Sequence, residues 1–358
     1  MAPAAAKKKK HVDRNLTRAV LTYRALQKHY YVKGAKLYRG GSPSTYSFLW
    51  PFSQALSATI SLDAVPGQSK HFARDVRDRL SGLGHYYDGR STPPSYVGGA
   101  LPPYAHGGTK SYDDNDWIGL ELVRQYRATH DPRWLTRAER VFELIEYGWD
   151  RDPTHPCPGG VLFSQSSRNK DRNTVSTAPG AELGLRLYLI THDGAYLYWA
   201  QAMYSWVRSC MRSSTGDLFL DHIDFDGRLE RTIWTYNQGT MLGASVLLYK
   251  ATGQTPYLRQ AKRTAAAAMA RFKPSRLAKE PPGFVAIMFE NLSLLDAVRH
   301  DSAYRHYMQA WADRAWSTMR DSRTSLFRFE PSRSPAVLTQ AAMAKLYANL
   351  ARRTSSFR

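Results

Sequence analysis

The chain predicts an all-α fold, an (α/α)6 toroid of six inner and six outer helices, on three observations. Helices of two kinds alternate along it, one rich in small and apolar residues and the next charged and amphipathic. The apolar helices begin near residues 50, 114, 178, 236, 289 and 338, a repeat of helical hairpins. Five hairpins leave one helix unpaired at each end, and a closed ring in which the two ends meet uses both. An open solenoid of helix pairs is the alternative. It needs polar caps, and the apolar helix from Leu338 to Leu350 is a poor one.

In chain order, residues 1–11 are expected to form a disordered basic tail containing Lys7, Lys8, Lys9 and Lys10, and residues 12–352 a single (α/α)6 domain. Leu16, Val20, Tyr23, Leu26 and Tyr30 fall mostly at three- and four-residue steps, which places one buried helical face between Arg14 and Tyr31. Trp50, Pro51 and Phe52 open the first apolar helix, with Pro51 suited to its first turn, and His71 to Leu83 is its charged partner. After a Gly/Pro/Tyr-rich loop the pairing recurs. Trp117 to Tyr126 leads through Thr129-His130-Asp131-Pro132 into Trp134 to Gly148, and Ala178 to Ile190 leads through Thr191-His192-Asp193-Gly194 into Tyr196 to Met211. Tyr236 to Tyr249 pairs with Tyr257 to Phe272, and Phe289 to Val298 with Ala303 to Met319. The loops at 156–177 and 213–235 would wall a cleft at one rim, and the second has room for a hairpin.

At 358 residues and 43% hydrophobic composition the chain can bury a sizeable core. It has no apolar run of the roughly 20 residues that a transmembrane helix needs. Lys7 to Lys10 are followed by polar Asp13, Arg14 and Asn15 where an export signal needs an apolar stretch, so a cytoplasmic location is expected. Cys157 and Cys210 lack metal-ligand spacing, and the pair indicates neither a zinc site nor a disulfide framework. No metal or cofactor is expected, since no phosphate-binding glycine loop or ligand constellation is present. The formal charge of +20 raises polyanions as partners. Beyond the tail the basic residues are scattered along helices, as at Arg74, Arg77, Arg124 and Arg127, which reads as solvated faces and not as a specific nucleic-acid module.

The stretch Tyr112-Asp113-Asp114-Asn115-Asp116-Trp117 sets three carboxylates, an amide and two aromatics at a helix start. The unpaired N–H groups and positive dipole end of that position stabilise anions. N-capping alone explains one acid there. Two adjacent acids between Tyr112 and Trp117 exceed what a cap requires, and paired carboxylates beside aromatics suit a sugar-cleaving site.

Tyr112-Asp113-Asp114-Asn115-x-Trp117 resembles the paired-aspartate motif of glycoside hydrolase family 76, the endo-α-1,6-mannanases. Leu49-Trp50-Pro51-Phe52-Ser53-Gln54, Gly159-Gly160, Asn173-Thr174 and Trp234-Thr235-Tyr236-Asn237-Gln238-Gly239 resemble family segments in the same order, from about residue 45 to residue 300. The resemblance implies an (α/α)6 barrel and a cofactor-free glycosidase that cleaves α-1,6-mannosidic linkages with retention and in endo fashion, with Asp113 as nucleophile and Asp114 as acid/base. Two departures stand out: the family commonly has a small residue where Asp116 stands, and Thr174 to Gly184 is only loosely similar.

Trp50, Tyr112, Trp117, Trp234 and Tyr236 are candidates to stack on sugar rings, with core packing the competing use. Gln54, Asn115, Asn173, Asn237 and Gln238 are candidates to bond hydroxyls, with helix capping the competing use. The expected partner is a mannose-containing oligo- or polysaccharide, and the charge raises an anionic glycan or glycolipid as its form. A catalytically silent glycan-binding protein on the same toroid is the alternative reading, and a toroidal sugar epimerase is a weaker third.

Overall fold

The computed structural model describes residues 13–41, 45–330 and 336–357. The basic tail lies outside the described residues. Helix α1 (Arg14–Tyr30) is followed by α2 (Leu49–Asp63) and α3 (Ser69–Leu83), then α4 (Tyr112–Thr129) and α5 (Pro132–Tyr147). Next come α6 (Thr174–Thr191) and α7 (Gly194–Cys210), then α8 (Thr235–Thr252) and α9 (Thr255–Arg271). A single helical turn, α10 (Pro274–Leu277), precedes α11 (Pro282–Val298), α12 (Ser302–Thr318) and α13 (Val337–Ala351).

The ring closes. Helices α2, α4, α6, α8, α11 and α13 each pack on two inner neighbours, and α13 returns against α2. Each also has an outer partner, and α1 packs on α13, so the two chain ends supply the sixth pair. The cause is side-chain distribution. Inner helices such as α8 and α13 are buried nearly all round, whereas α3 and α5 bury a single stripe of Phe72, Val76 and Leu80 or of Val141, Phe142 and Ile145.

The inner helix ends in the same way at three of the turns into its outer partner. His130, His192 and Gly253 take left-handed conformations that end α4, α6 and α8. Asp131 and Asp193 then cap the next helix, accepting from the N–H groups of Arg133 at 3.0 Å and Ala195 at 2.9 Å. The histidines, conspicuous in sequence, are turn residues at the rim far from the acid cluster.

Two helix starts differ from the expected ones. Helix α11 begins at Pro282, seven residues ahead of Phe289, because a proline at the first helical position is compatible with a helix it would break elsewhere. Helix α6 begins at Thr174 and carries Pro179 inside it. The loop at 213–235 does hold a hairpin: β6 (His222–Asp224) pairs antiparallel with β7 (Leu229–Glu230) and, on its other side, with β5 (Asp171–Asn173), whose labels follow β1 (Tyr31–Val32), β2 (Leu37–Tyr38), β3 (Tyr87–Asp88) and β4 (Ser95–Tyr96). None of the helices is long and apolar enough to cross a membrane, among the described residues.

The two cysteines are joined. Cys157 and Cys210 form a disulfide with Cα atoms 6.1 Å apart, which corrects the sequence expectation. A single pair separated by 53 residues has no spacing signature, and only the toroid brings the loop after α5 to the end of α7.

Candidate active site

Because each inner helix runs in the same direction through the ring, their N-termini converge at one rim. The second residue of α2, α4, α6 and α8 is respectively Trp50, Asp113, Val175 and Tyr236, and all four line one cavity of about 270 Å³. Ser111, Asp114, Trp117, Phe163, Phe284 and Ile287 complete it. The positive ends of several helix dipoles therefore meet around the paired carboxylates. The walls are apolar and aromatic. Trp50 packs on Trp117 with ring centroids 5.8 Å apart, and Tyr236 on Phe284 at 4.0 Å.

The helix is regular from Tyr112, so both acids sit in its first turn. They reach one cavity because it lies over the helix end, where side chains about 100° apart can still face a common space. Burial pushes the Asp113 carboxyl up to about 7, opposed by the backbone N–H groups of Asp114 and of Asp113 itself. Burial raises Asp114 as well, and the neighbouring Asp113 charge raises it further. The two environments therefore differ in a definite sense: amides favour the anion of Asp113, and nothing comparable favours that of Asp114. Asp113 becomes the anion first and Asp114 keeps its proton.

Asp116 faces inward. It is fully buried and, among the described residues, neither carboxylate oxygen has a hydrogen-bond partner. Burial, then Asp113 and Glu182, hold it well above the usual carboxylate range. Glu182, on α6, is pushed up to about 8 by burial, with Glu290 adding to the rise and Arg186 opposing it. Gly243 on α8 leaves space at this point: a Cβ there would overlap Asn291 Oδ1 and Glu182 Oε1. Beneath Trp117 and Ile287 lies a second cavity of about 30 Å³, the size of a water site, which Gln54, Glu182 and Asn291 line.

Of the residues expected to meet substrate, Trp50, Trp117 and Tyr236 line the cleft with Asp113 and Asp114. Trp234 backs Phe284 from behind at 5.6 Å. Gln54 faces the inner water-sized cavity. Asn237 is buried and points at Asp221 Oδ1 at 3.4 Å, and Asn173 is spent on Asp171 at 3.0 Å. Tyr112 is buried, its ring against Gly148, where a side chain would find no room.

Asn115 and Gln238 are corrected outright. Each is the fourth residue of its inner helix and clamps the preceding loop with a pair of bonds: Asn115 accepts from Tyr96 N at 3.1 Å and donates to Tyr96 O at 2.9 Å. Gln238 does the same to Phe219, at 2.8 and 2.9 Å. Gln340 repeats the clamp on Phe327, and Thr177 accepts from Val161 N at the same position of α6. A buried amide with both ends used has nothing left for a sugar hydroxyl.

Sequence reasoning missed Phe163, Phe284 and Asp221. Phe163 projects from the loop that Arg172 and the disulfide hold: Arg172 donates to Asp150 at 3.1 Å and to the Pro156 carbonyl at 3.1 Å. Asp221 accepts from the Tyr236 hydroxyl at 3.3 Å and meets His222 Nδ1 at 3.2 Å. Phe284 precedes Phe289, where the sequence placed the start of this helix, and lies in its first turn. Asp171, His222 and Asp224 could offer ligand atoms within 4.8 Å of one another to a metal. Asp224 is already paired with Arg228 at 2.6 Å.

The model of glycosyl hydrolase family 76 matches residues 16–353. A mannan endo-1,6-α-mannosidase of Saccharomyces cerevisiae is 30% identical over 159 residues, 40% of this chain and 35% of its own length. The counterpart in Candida albicans is 27% identical over 158 residues, 40% of this chain and 34% of that protein. The chain thus spans about a third of the length of the curated relatives it matches. A family 76 mannosidase from Bacteroides thetaiotaomicron superposes with a TM-score of 0.84 at 25% identity, covering 95% of this chain and 98% of that one.

Proposed function

The chain belongs to glycosyl hydrolase family 76, and on that premise we propose that it hydrolyses α-1,6-mannosidic linkages within mannan chains, with retention of configuration. One observation carries the reading: Asp113 and Asp114 share a single aromatic-walled cleft at a helix N-terminus, in environments that favour the anion of the first and the acid of the second. Asp114 donates its proton to the glycosidic oxygen as the bond to the anomeric carbon breaks. Asp113 attacks that carbon from the other face. Water then enters, Asp114 takes its proton, and the hydroxide equivalent displaces Asp113. Trp50, Trp117, Tyr236 and Phe284 offer faces on which sugar rings stack. The similarity to mannan endo-1,6-α-mannosidases supports the linkage. Release of new reducing ends from α-1,6-mannan by the intact chain, and its loss in both Asp113→Asn and Asp114→Asn, tests the reading. Binding of the oligosaccharide without any cleavage would return the silent-binding alternative.

The sugar at the reacting position is neutral in this reading, in keeping with a cleft whose lining, among the described residues, holds no Lys or Arg. An anionic glycan or glycolipid would be recognised through the surface charge of the chain, formally +20. Its hydrolysis should fall steeply as salt rises from about 0.1 M to about 1 M, while neutral mannan is cleaved at a nearly constant rate. Equal salt dependence for both rejects the charged substrate. The Cys157–Cys210 bridge further supports an oxidising compartment over the cytoplasm, which free-thiol titration of the protein taken from its own cells would check.

A further inference from the structure

At the end of the ring away from the cleft a second cavity of about 270 Å³ is lined by Arg124, Arg127, Arg186 and Arg352 against Asp63 and Glu290. Asp113 and Arg127 stand in the first and last turns of α4, so the two cavities lie about 20 Å apart at the rise of a helix. The carboxylate Glu290 is already engaged, with Lys345 at 2.6 Å and Arg124 at 3.4 Å. Arg186 meets Glu182 only at 3.7 Å, and its Nε is buried without a partner among the described residues. Glu182 keeps its proton up to about 8, so it supplies little negative charge at neutral pH. The positive field reaches Lys250 on α8, whose ammonium is depressed by burial and then by Arg127 and Arg186. Burial and Arg124 push the Arg352 guanidinium down to about 10.

The negative ends of the inner helices explain why arginines gather here. They do not explain a cavity in which, even with Arg124 also paired to Glu121 at 2.9 Å, four guanidiniums meet two lining carboxylates and the Arg186 Nε is buried without a partner among the described residues. Planar, always-charged forks around a partly enclosed space match the oxygens of a phosphate. We propose that this cavity binds a phosphate group, as inorganic phosphate or as the phosphate of a small sugar ester. The inference does not rest on the hydrolytic reading, because none of its residues touches the cleft.

Calorimetric titration of the intact chain with inorganic phosphate, and separately with mannose 6-phosphate, should show saturable one-to-one binding. Arg127→Gln and Arg352→Gln should each weaken it by about tenfold or more, the scale of one lost charged hydrogen bond. Saturating phosphate should also raise the melting temperature of the parent chain by ~2 °C or more and leave the double variant unmoved. Reducing-end release from neutral mannan should persist in both variants. No binding by the parent chain, or equal binding by parent and variants, overturns the proposal. Flotation with vesicles of phosphatidylinositol separates the sources: association lost in the two variants supports a lipid-borne phosphate in the same pocket, and association that survives them assigns membrane attraction to the general surface.

Discussion

Replacing Glu182 by Gln should make the protein more resistant to unfolding at neutral pH, and the gain should vanish in acid. Glu182 is 2% exposed and its carboxyl is raised by burial from 4.5 to about 8. A carboxyl raised in the folded state contributes stability that is fully present below its unfolded value and is lost as pH climbs towards its folded value. Between about pH 4.5 and about pH 7 the unfolded chain releases this proton while the folded chain retains it, which costs ~3 kcal/mol at 1.36 kcal/mol per pH unit. Glutamine keeps the shape and removes the proton exchange. Asp113, Asp114 and Asp116 are raised too and titrate in both proteins, so the slope of either curve alone is not diagnostic. The difference between them is. Urea unfolding of parent and Glu182→Gln at intervals from about pH 4.5 to about pH 7 should show that difference growing by ~3 kcal/mol in favour of the variant. Parallel curves would refute the buried, proton-holding Glu182.

Asp113→Asn and Asp114→Asn should each lower kcat on mannan by ~10³-fold or more with the helical circular dichroism retained; an aryl mannoside with a good leaving group should partly restore Asp114→Asn and not Asp113→Asn. The activity profile should rise on its acid side above the ordinary carboxylate range near about pH 4, because Asp113 is raised; a limb at the ordinary value contradicts that. Gln238→Ala should cost ~2–3 kcal/mol of stability from the clamp on Phe219, read by denaturant midpoint, while KM for manno-oligosaccharides in the folded protein stays unchanged. Cys157→Ser with Cys210→Ser opens a loop of 53 residues and should cost about 4 kcal/mol; a midpoint equal to that of the parent chain would show that the bridge constrains nothing.

The toroid was legible because its cause is a pattern that any window of sequence carries: small, apolar helices alternate with amphipathic ones, and Thr-His-Asp turns mark two of the joints. The acid pair was legible for a related reason, since two carboxylates exceed the needs of a helix start. Side-chain direction was not. Asn115 and Gln238 stand among cleft residues in sequence, yet the fourth position of an inner helix points at the preceding loop and away from the rim. The signal existed in the recurrence of an amide or hydroxyl at Asn115, Thr177, Gln238 and Gln340, which requires the helix starts to be known to the residue. Those starts were placed late at α6 and α11, at Ala178 and Phe289, where the helices begin at Thr174 and Pro282. Phe284 was lost by the same error. Phe163 and the disulfide depend on a loop folded over the ring by Arg172, a tertiary fact with no local pattern.

Proton NMR of α-1,6-mannotetraose during the first minutes of cleavage reports the anomer released before mutarotation mixes the two forms. With Asp113 as nucleophile and Asp114 as acid/base, the α-anomer of the shortened sugar appears first and the β-anomer grows in later. A β-anomer appearing first would mean direct attack by water and would contradict the assignment of Asp113.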